Sequence, residues 1–207
     1  MGPEHFTRFG IDPQESLKKA YEFARKAISL DNEQLLAYGA LEFASGVRRR
    51  YEEAVVAGER AVQVAPGCAD AYFYFGRALS IASRDKEALG YFETAIRMNP
   101  YPPSFYYMHI GMAHFNLRQY EQAVAALQKA LYLSSRNQVA RRCLIVTYVE
   151  MGRMEEARST TEEMLKIEPS YNSKGVDKRT TNKDPEVGQR WAEALRNMGL
   201  ERDVSTN

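Results

Sequence analysis

The 207-residue sequence is poor in the features that usually mark chemistry. It has two cysteines, Cys68 and Cys143, too far apart for any metal or redox spacing, and both are expected as reduced thiols in a reducing compartment. Cys143 stands among Leu144, Ile145 and Val146, where a buried, inert thiol is the usual case. His109 and His114 are five apart on a helix, so their side chains diverge and make a poor metal pair. There is no nucleotide-binding glycine loop, nucleophile elbow or zinc-type pair. Adjacent carboxylates such as Glu155 and Glu156, or Glu162 and Glu163, read as solvated helix-surface charges, and Arg48, Arg49 and Arg50 read as a solvated turn.

No apolar run approaches the roughly 20 residues needed to span a bilayer. The first ten residues lack the basic start and apolar core of a secretory signal, and Phe6 stands where a myristoylation pattern wants Ser or Thr. A net charge of +1 gives no global push toward nucleic acid or anionic membrane. These absences point to a cytoplasmic protein that is not an enzyme and uses no cofactor or metal.

What is present is a repeat. Ala54, Ala88, Ala123 and Ala157 form one column, Ala61, Ala95, Ala130 and Met164 a second, and Pro66, Pro100, Ser135 and Pro169 a third. Each steps by 34, 35 and 34, so one inserted residue, placed in the turn 99–104, explains all three. Ala20, Ala27 and Asn32 extend the register backwards. A period of this length implies a stacked array. Within one unit, Tyr72, Phe75, Leu79 and Ile81 recur at helical spacing, the run breaks at 83–85, and a second helix over 86–98 carries Leu89, Phe92, Ile96 and Met98. Proline closes most second helices and carboxylates such as Glu52, Glu87, Glu121 and Glu155 open them, near the positive end of the helix dipole. Gly76 and Gly111 fall mid-helix, where glycine costs about 1 kcal/mol against alanine, so they predict close helix contact.

Tyr72, Phe75, Gly76, Ala88, Phe92, Ala95 and Pro100, with the stretch 151–157, resemble the tetratricopeptide repeat signature. The departures are Glu42 and Ile145 at the mid-helix glycine, Gly58 and Thr161 at the second-helix aromatic, and Ser135 at a proline. The resemblance implies an all-α fold, a right-handed superhelical array of antiparallel helix hairpins with a C-terminal capping helix. The expected organisation is a half repeat or cap helix over 1–34, repeats over 35–68, 69–102, 103–137 and 138–171, a polar loop over 172–184 and a capping helix over 185–200. Asp184 suits the N-cap of that last helix, Pro185 its first position and Gly199 its end, with Val187, Trp191, Leu195 and Met198 on one face. A sharper alternative is that this helix folds back into the array's own groove.

In this family the first helix of each hairpin lines a concave surface. The groove face the resemblance implies is Leu36 and Phe43, then Phe73 and Arg77, then Phe105, Met108, Met112 and Phe115, then Val139, Arg142 and Val146. It is separate from the hairpin-packing set of Tyr72, Phe75 and Leu79. Some members grip a partner's C-terminal carboxylate with lysines and asparagines; here Gly39, Phe43, Phe73 and Arg77 stand at those places, so no chaperone-tail clamp is expected. The expectation is therefore a protein-interaction scaffold that binds a partner peptide or helix, an apolar segment with an acidic group, and no nucleic acid or membrane, with homo-oligomerisation left open. The C-terminal half and tail, with the stretches 165–171 and 183–201 and the basic loop between them, are also similar to the C-terminal repeat region of bacterial class III adenylate cyclases and related signalling proteins. That likeness implies the alternative of a regulatory or dimerising segment of a signalling enzyme.

Overall fold

The structure, a computed structural model, describes residues 13–201; the N-terminal positions read above, Phe6 among them, lie outside this range. Helix α1 (Pro13–Leu30) precedes four hairpins. They are α2 (Leu35–Val47) with α3 (Tyr51–Val64), α4 (Ala69–Ile81) with α5 (Asp85–Met98), α6 (Ser104–Asn116) with α7 (Tyr120–Leu133), and α8 (Gln138–Glu150) with α9 (Met154–Ile167). A single turn, α10 (Val176–Arg179), and a final helix, α11 (Pro185–Asn197), follow. No strand occurs among the described residues. Partners within a hairpin pack together, and each second helix packs on the first helix of the next hairpin. First helices also touch in series, α2 on α4, α4 on α6 and α6 on α8, building a right-handed superhelical array with one continuous first-helix face.

The repeat is regular at the level of single residues. Each first helix has 13 residues and each second helix 14, joined by three-residue turns. The links 65–68 and 134–137 have four residues and the link 99–103 has five, which places the inserted residue. Every hairpin turn ends its first helix with a Schellman motif, in which the N–H groups just past the helix end satisfy carbonyls of its last turn. In the first hairpin Arg50 N–H donates to Ser45 O at 2.8 Å and Arg49 N–H to Gly46 O at 3.0 Å. The motif requires one left-handed residue. These are Arg49 (φ 60°), Ser83 (φ 63°), Arg118 (φ 58°) and Gly152 (φ 72°), and only the last is the glycine such a position favours.

The column residues Ala54, Ala88, Ala123 and Ala157, and Ala61, Ala95, Ala130 and Met164, are all fully buried, because the helices of a hairpin approach where side chains are small. In the second hairpin Gly76 faces Phe92: a Cβ on Gly76 would lie 2.8 Å from the Phe92 ring. In the third, one on Gly111 would lie 2.6 Å from Leu127. The first and fourth hairpins carry other residues at these two positions. Large Glu42 and Ile145 occupy the first-helix position, and small Gly58 and Thr161 the second-helix position. Glu42 and Ile145 are fully buried, and Gly58 admits the next hairpin: a Cβ on it would lie 2.9 Å from the Phe75 backbone of α4. Cys143 is buried too, and burial pushes its thiol up to about 12. No helix among the described residues is long and apolar enough to cross a membrane.

Candidate functional site

The first-helix face divides into an open half and a covered half. On the open half, Leu36 and Phe43 of α2 are 73% and 47% exposed, and Phe105 of α6 is 41% exposed. Arg77 of α4 links them: its guanidinium lies 5.2 Å from the Phe43 ring centre and 5.5 Å from those of Phe73 and Tyr74. Beneath, Phe73 stacks on Tyr106 at 4.4 Å and takes the edge of Phe105 at 4.9 Å. Phe73 is fully buried, so it supports this surface rather than lining it, while Tyr72 and Phe75, expected in the hairpin core, are only half-buried. The expectation for Phe73 treated α4 alone; the neighbouring first helix covers it.

The charges of the open half are already matched. Arg77 Nε donates to Glu42 Oε2 at 2.9 Å, a terminal N–H of Arg77 donates to the same oxygen, and Arg77 also reaches Gly39 O. Glu42 is fully buried and its Oε1 has no hydrogen-bond partner. Burial raises its carboxyl above the usual range, and the Arg77 charge opposes that. His109, whose ring meets Phe73 edge-on, is pushed down to about 3 by burial and then by the Arg77 charge, so its imidazole is neutral. The surface is aromatic and, in charge, self-contained.

The other half is covered by the chain's own C-terminus. Helix α11 packs on α8, and Trp191 sets its edge on Phe115 of α6 at 6.4 Å and 85°. Val187, Trp191, Leu195 and Leu200 share one buried cluster with Met108, Phe115 and Val146, and Met112 and Val139 pack at its border. Arg190 lies 4.3 Å over the Phe115 ring and donates to Glu150 Oε2 at 2.9 Å and to Tyr120 Oη at 3.1 Å. Arg142 is held by Glu168 at 3.2 Å and lies over Tyr171. Met108, Phe115 and Val146 are therefore not free surface, and Met112 is half-buried. Asp184 caps α11 by accepting from Glu186 N–H at 2.9 Å, and Gly199 ends it with φ 68°.

Between α9 and α11 the chain runs along the hairpin turns, a path not legible in the sequence. Arg49 donates to the carbonyls of Lys178 and Thr180. Lys183 N–H donates to Ile81 O at 2.8 Å, and the Asn182 amide to Ser80 O at 3.0 Å. Ser83 Oγ donates to Asn182 Oδ1 and accepts from Asp184 N–H. Lys183 pairs with Glu52, and Arg118 with Glu186. Arg48 and Arg50 are exposed, as expected, and their guanidinium groups also lie over Tyr21 at 4.6 and 5.2 Å. Among the described residues, no group of three or more His, Cys, Asp or Glu side chains could hold a metal ion.

Two family models, both described as tetratricopeptide repeat, match residues 47–103 and 114–173, together more than half of the chain. No curated protein matches it significantly. Among solved structures, TTC0263, a thermophilic tetratricopeptide protein of Thermus thermophilus, is similar with a TM-score of 0.68 at 20% identity, over 94% of this chain and 100% of that one. A chain of the Cut9–Hcn1 complex of the APC/C matches with a TM-score of 0.68 at 17% identity, over 88% of this chain; the likeness spans only 34% of that longer one. YrrB, described as a tetratricopeptide protein with an unusual peptide-binding site, matches with a TM-score of 0.54 at 21% identity, over 86% of this chain and 94% of that one. At these identities the likeness shows the fold, and with the matching models it agrees on one conclusion: the chain belongs to the tetratricopeptide repeat family.

Proposed function

We propose that the chain is a non-catalytic interaction module that holds an apolar partner segment on the open half of its first-helix face. The observation that supports this most is the exposed strip of Leu36, Phe43 and Phe105 around the aromatic-packed Arg77. Exposed apolar side chains gathered on one face mark partner sites, and aromatic and arginine side chains dominate such interfaces. Arg77 and Arg142 are both held by the chain's own carboxylates, so the partner needs no acidic group to enter. The alternative, a regulatory or dimerising segment of a signalling enzyme, draws only on the tail's likeness to cyclase repeat regions.

The test uses exposed positions, because Phe73 and Met108 belong to the packing. A chain with Phe43→Glu and Phe105→Glu should stay folded by circular dichroism and should lose a protein that the native chain captures from host lysate. Equal capture by both chains would move the binding surface elsewhere.

A further inference from the structure

The four left-handed turn residues differ in one respect. Three of them, Arg49, Ser83 and Arg118, keep a side chain at a position that favours glycine, and each of those side chains bonds the C-terminal segment. Arg49 holds the carbonyls of Lys178 and Thr180, Ser83 holds Asn182 and the N–H of Asp184, and Arg118 pairs with Glu186. The fourth, Gly152, has no side chain to offer. Side chains are thus kept where the backbone disfavours them, in register with the path of the tail, and what they hold is not needed to close the hairpins. The contacts are of a kind that opens readily: Arg118 and Glu186 are 58% and 57% exposed, and Lys183 and Glu52 are 50% and 82% exposed. The apolar grip comes from Val187, Trp191, Ala194, Leu195 and Leu200, with Tyr171, Val176 and Met198 in or beside the same cluster, on the part of the face that would otherwise continue the open strip.

We propose that the C-terminal segment is a releasable latch: α11 is an internal ligand of the first-helix face of the third and fourth hairpins, held by Arg49, Ser83 and Arg118, and the partner that displaces it is an amphipathic helix of the same chemistry. That chemistry is an aromatic residue in the place of Trp191, an arginine before it that reaches Glu150 and the Phe115 ring, and branched apolar residues at the Val187 and Leu195 positions. The inference rests on the reading of the first-helix face as a partner surface, but it concerns the opposite half of that face from Leu36, Phe43 and Phe105.

Trp191 is the only tryptophan of the chain, so its emission reports the latch alone. In the native chain, a urea titration should red-shift Trp191 emission before far-UV circular dichroism shows loss of the array; coincident transitions would overturn the proposal. A chain with Arg49→Gly, Ser83→Gly and Arg118→Gly should melt no lower than the native one, since glycine suits each turn, yet show red-shifted Trp191 emission. It should also bind a labelled peptide of residues 184–201 at least tenfold more tightly than the native chain does. Unshifted emission and unchanged peptide affinity in the folded variant would overturn the latch. Loss of capture by the Phe43→Glu, Phe105→Glu chain would be unaffected by either result, so failure of the latch and failure of the partner surface are separable.

Discussion

Replacing Arg77 with methionine removes the cation that faces a fully buried Glu42 while keeping an apolar side chain among Phe43, Phe73 and Tyr74. Glu42 then has two answers. It can stay ionised in a dry site with no partner, or it can take up a proton. The second sets the ceiling. With an unfolded value near 4.3 and about 1.4 kcal/mol per unit, protonation at pH 7 costs about 3.7 kcal/mol. That agrees with the roughly 3–5 kcal/mol measured when one partner of a buried pair is removed. The loss of guanidinium–ring contacts adds about 1 kcal/mol that does not depend on pH. The sign follows from the direction of the shift. A carboxyl whose folded value is raised is most stabilising when protonated, so the variant should be best in acid and lose about 1.4 kcal/mol per unit as pH rises above about 4.3. Urea unfolding followed by circular dichroism, native against Arg77→Met, should therefore show a penalty of up to about 4.7 kcal/mol at pH 7 and about 1.5 kcal/mol at pH 4.5. Adding Glu42→Gln should recover most of the loss at pH 7. A penalty below about 1 kcal/mol at pH 7, or one equal at both pH values, would refute the account of Glu42 as a buried charge held by Arg77.

Two further predictions concern packing and titration. Gly76→Ala should destabilise the protein by about 1–2 kcal/mol, because overpacking against Phe92 outweighs the helix-propensity gain, whereas Gly90→Ala on an open surface should stabilise it by about 1 kcal/mol; paired thermal melts check both signs. Asp85 is pushed up to about 6, first by burial, with Ser80 and Asn116 opposing and the Asp184 charge adding. Native stability should then fall as pH rises from about 4 to 6, and Asp85→Asn, which keeps an oxygen for both donors, should gain about 1 kcal/mol at pH 7 and nothing near pH 4, read from urea midpoints at the two pH values.

The repeat was legible because its signals are local. Column alanines, closing prolines and opening acids depend only on the 3.6-residue period and on chain geometry, and one inserted residue shifted every column alike. Asp184, Pro185 and Gly199 marked α11 for the same reason. Exposure was less legible than the repeat: Leu36, Phe43 and Phe105 are exposed side chains of first helices, but the burial of Phe73 is decided by Tyr106 of the next hairpin, which one helix's periodicity cannot show. Glu42 and Gly58 read only as departures from the signature; that Arg77 holds the first and Phe75 closes on the second, both from the next hairpin's first helix, shows only in contacts between hairpins. Docking of the tail depends on a segment 99 residues away in sequence reaching Ser83, a relation without period, although the series Arg49, Ser83, Arg118, Gly152 held a trace of it.

The different residues that the hairpins place at these two positions also bear on how such a chain could change. A stacked array invites the idea that its units are spare parts, to be duplicated, deleted or traded among themselves. Here a first helix from the first hairpin, carrying Glu42, would meet Phe92 if joined to the second hairpin's other half, and two large side chains would compete for one space. The reverse exchange would bring Phe92 to the place of Gly58, where even a Cβ would lie 2.9 Å from the backbone of the next first helix. Recombination within this chain is therefore restricted to whole hairpins, and a breakpoint inside one is expected to be selected against even though the period is preserved.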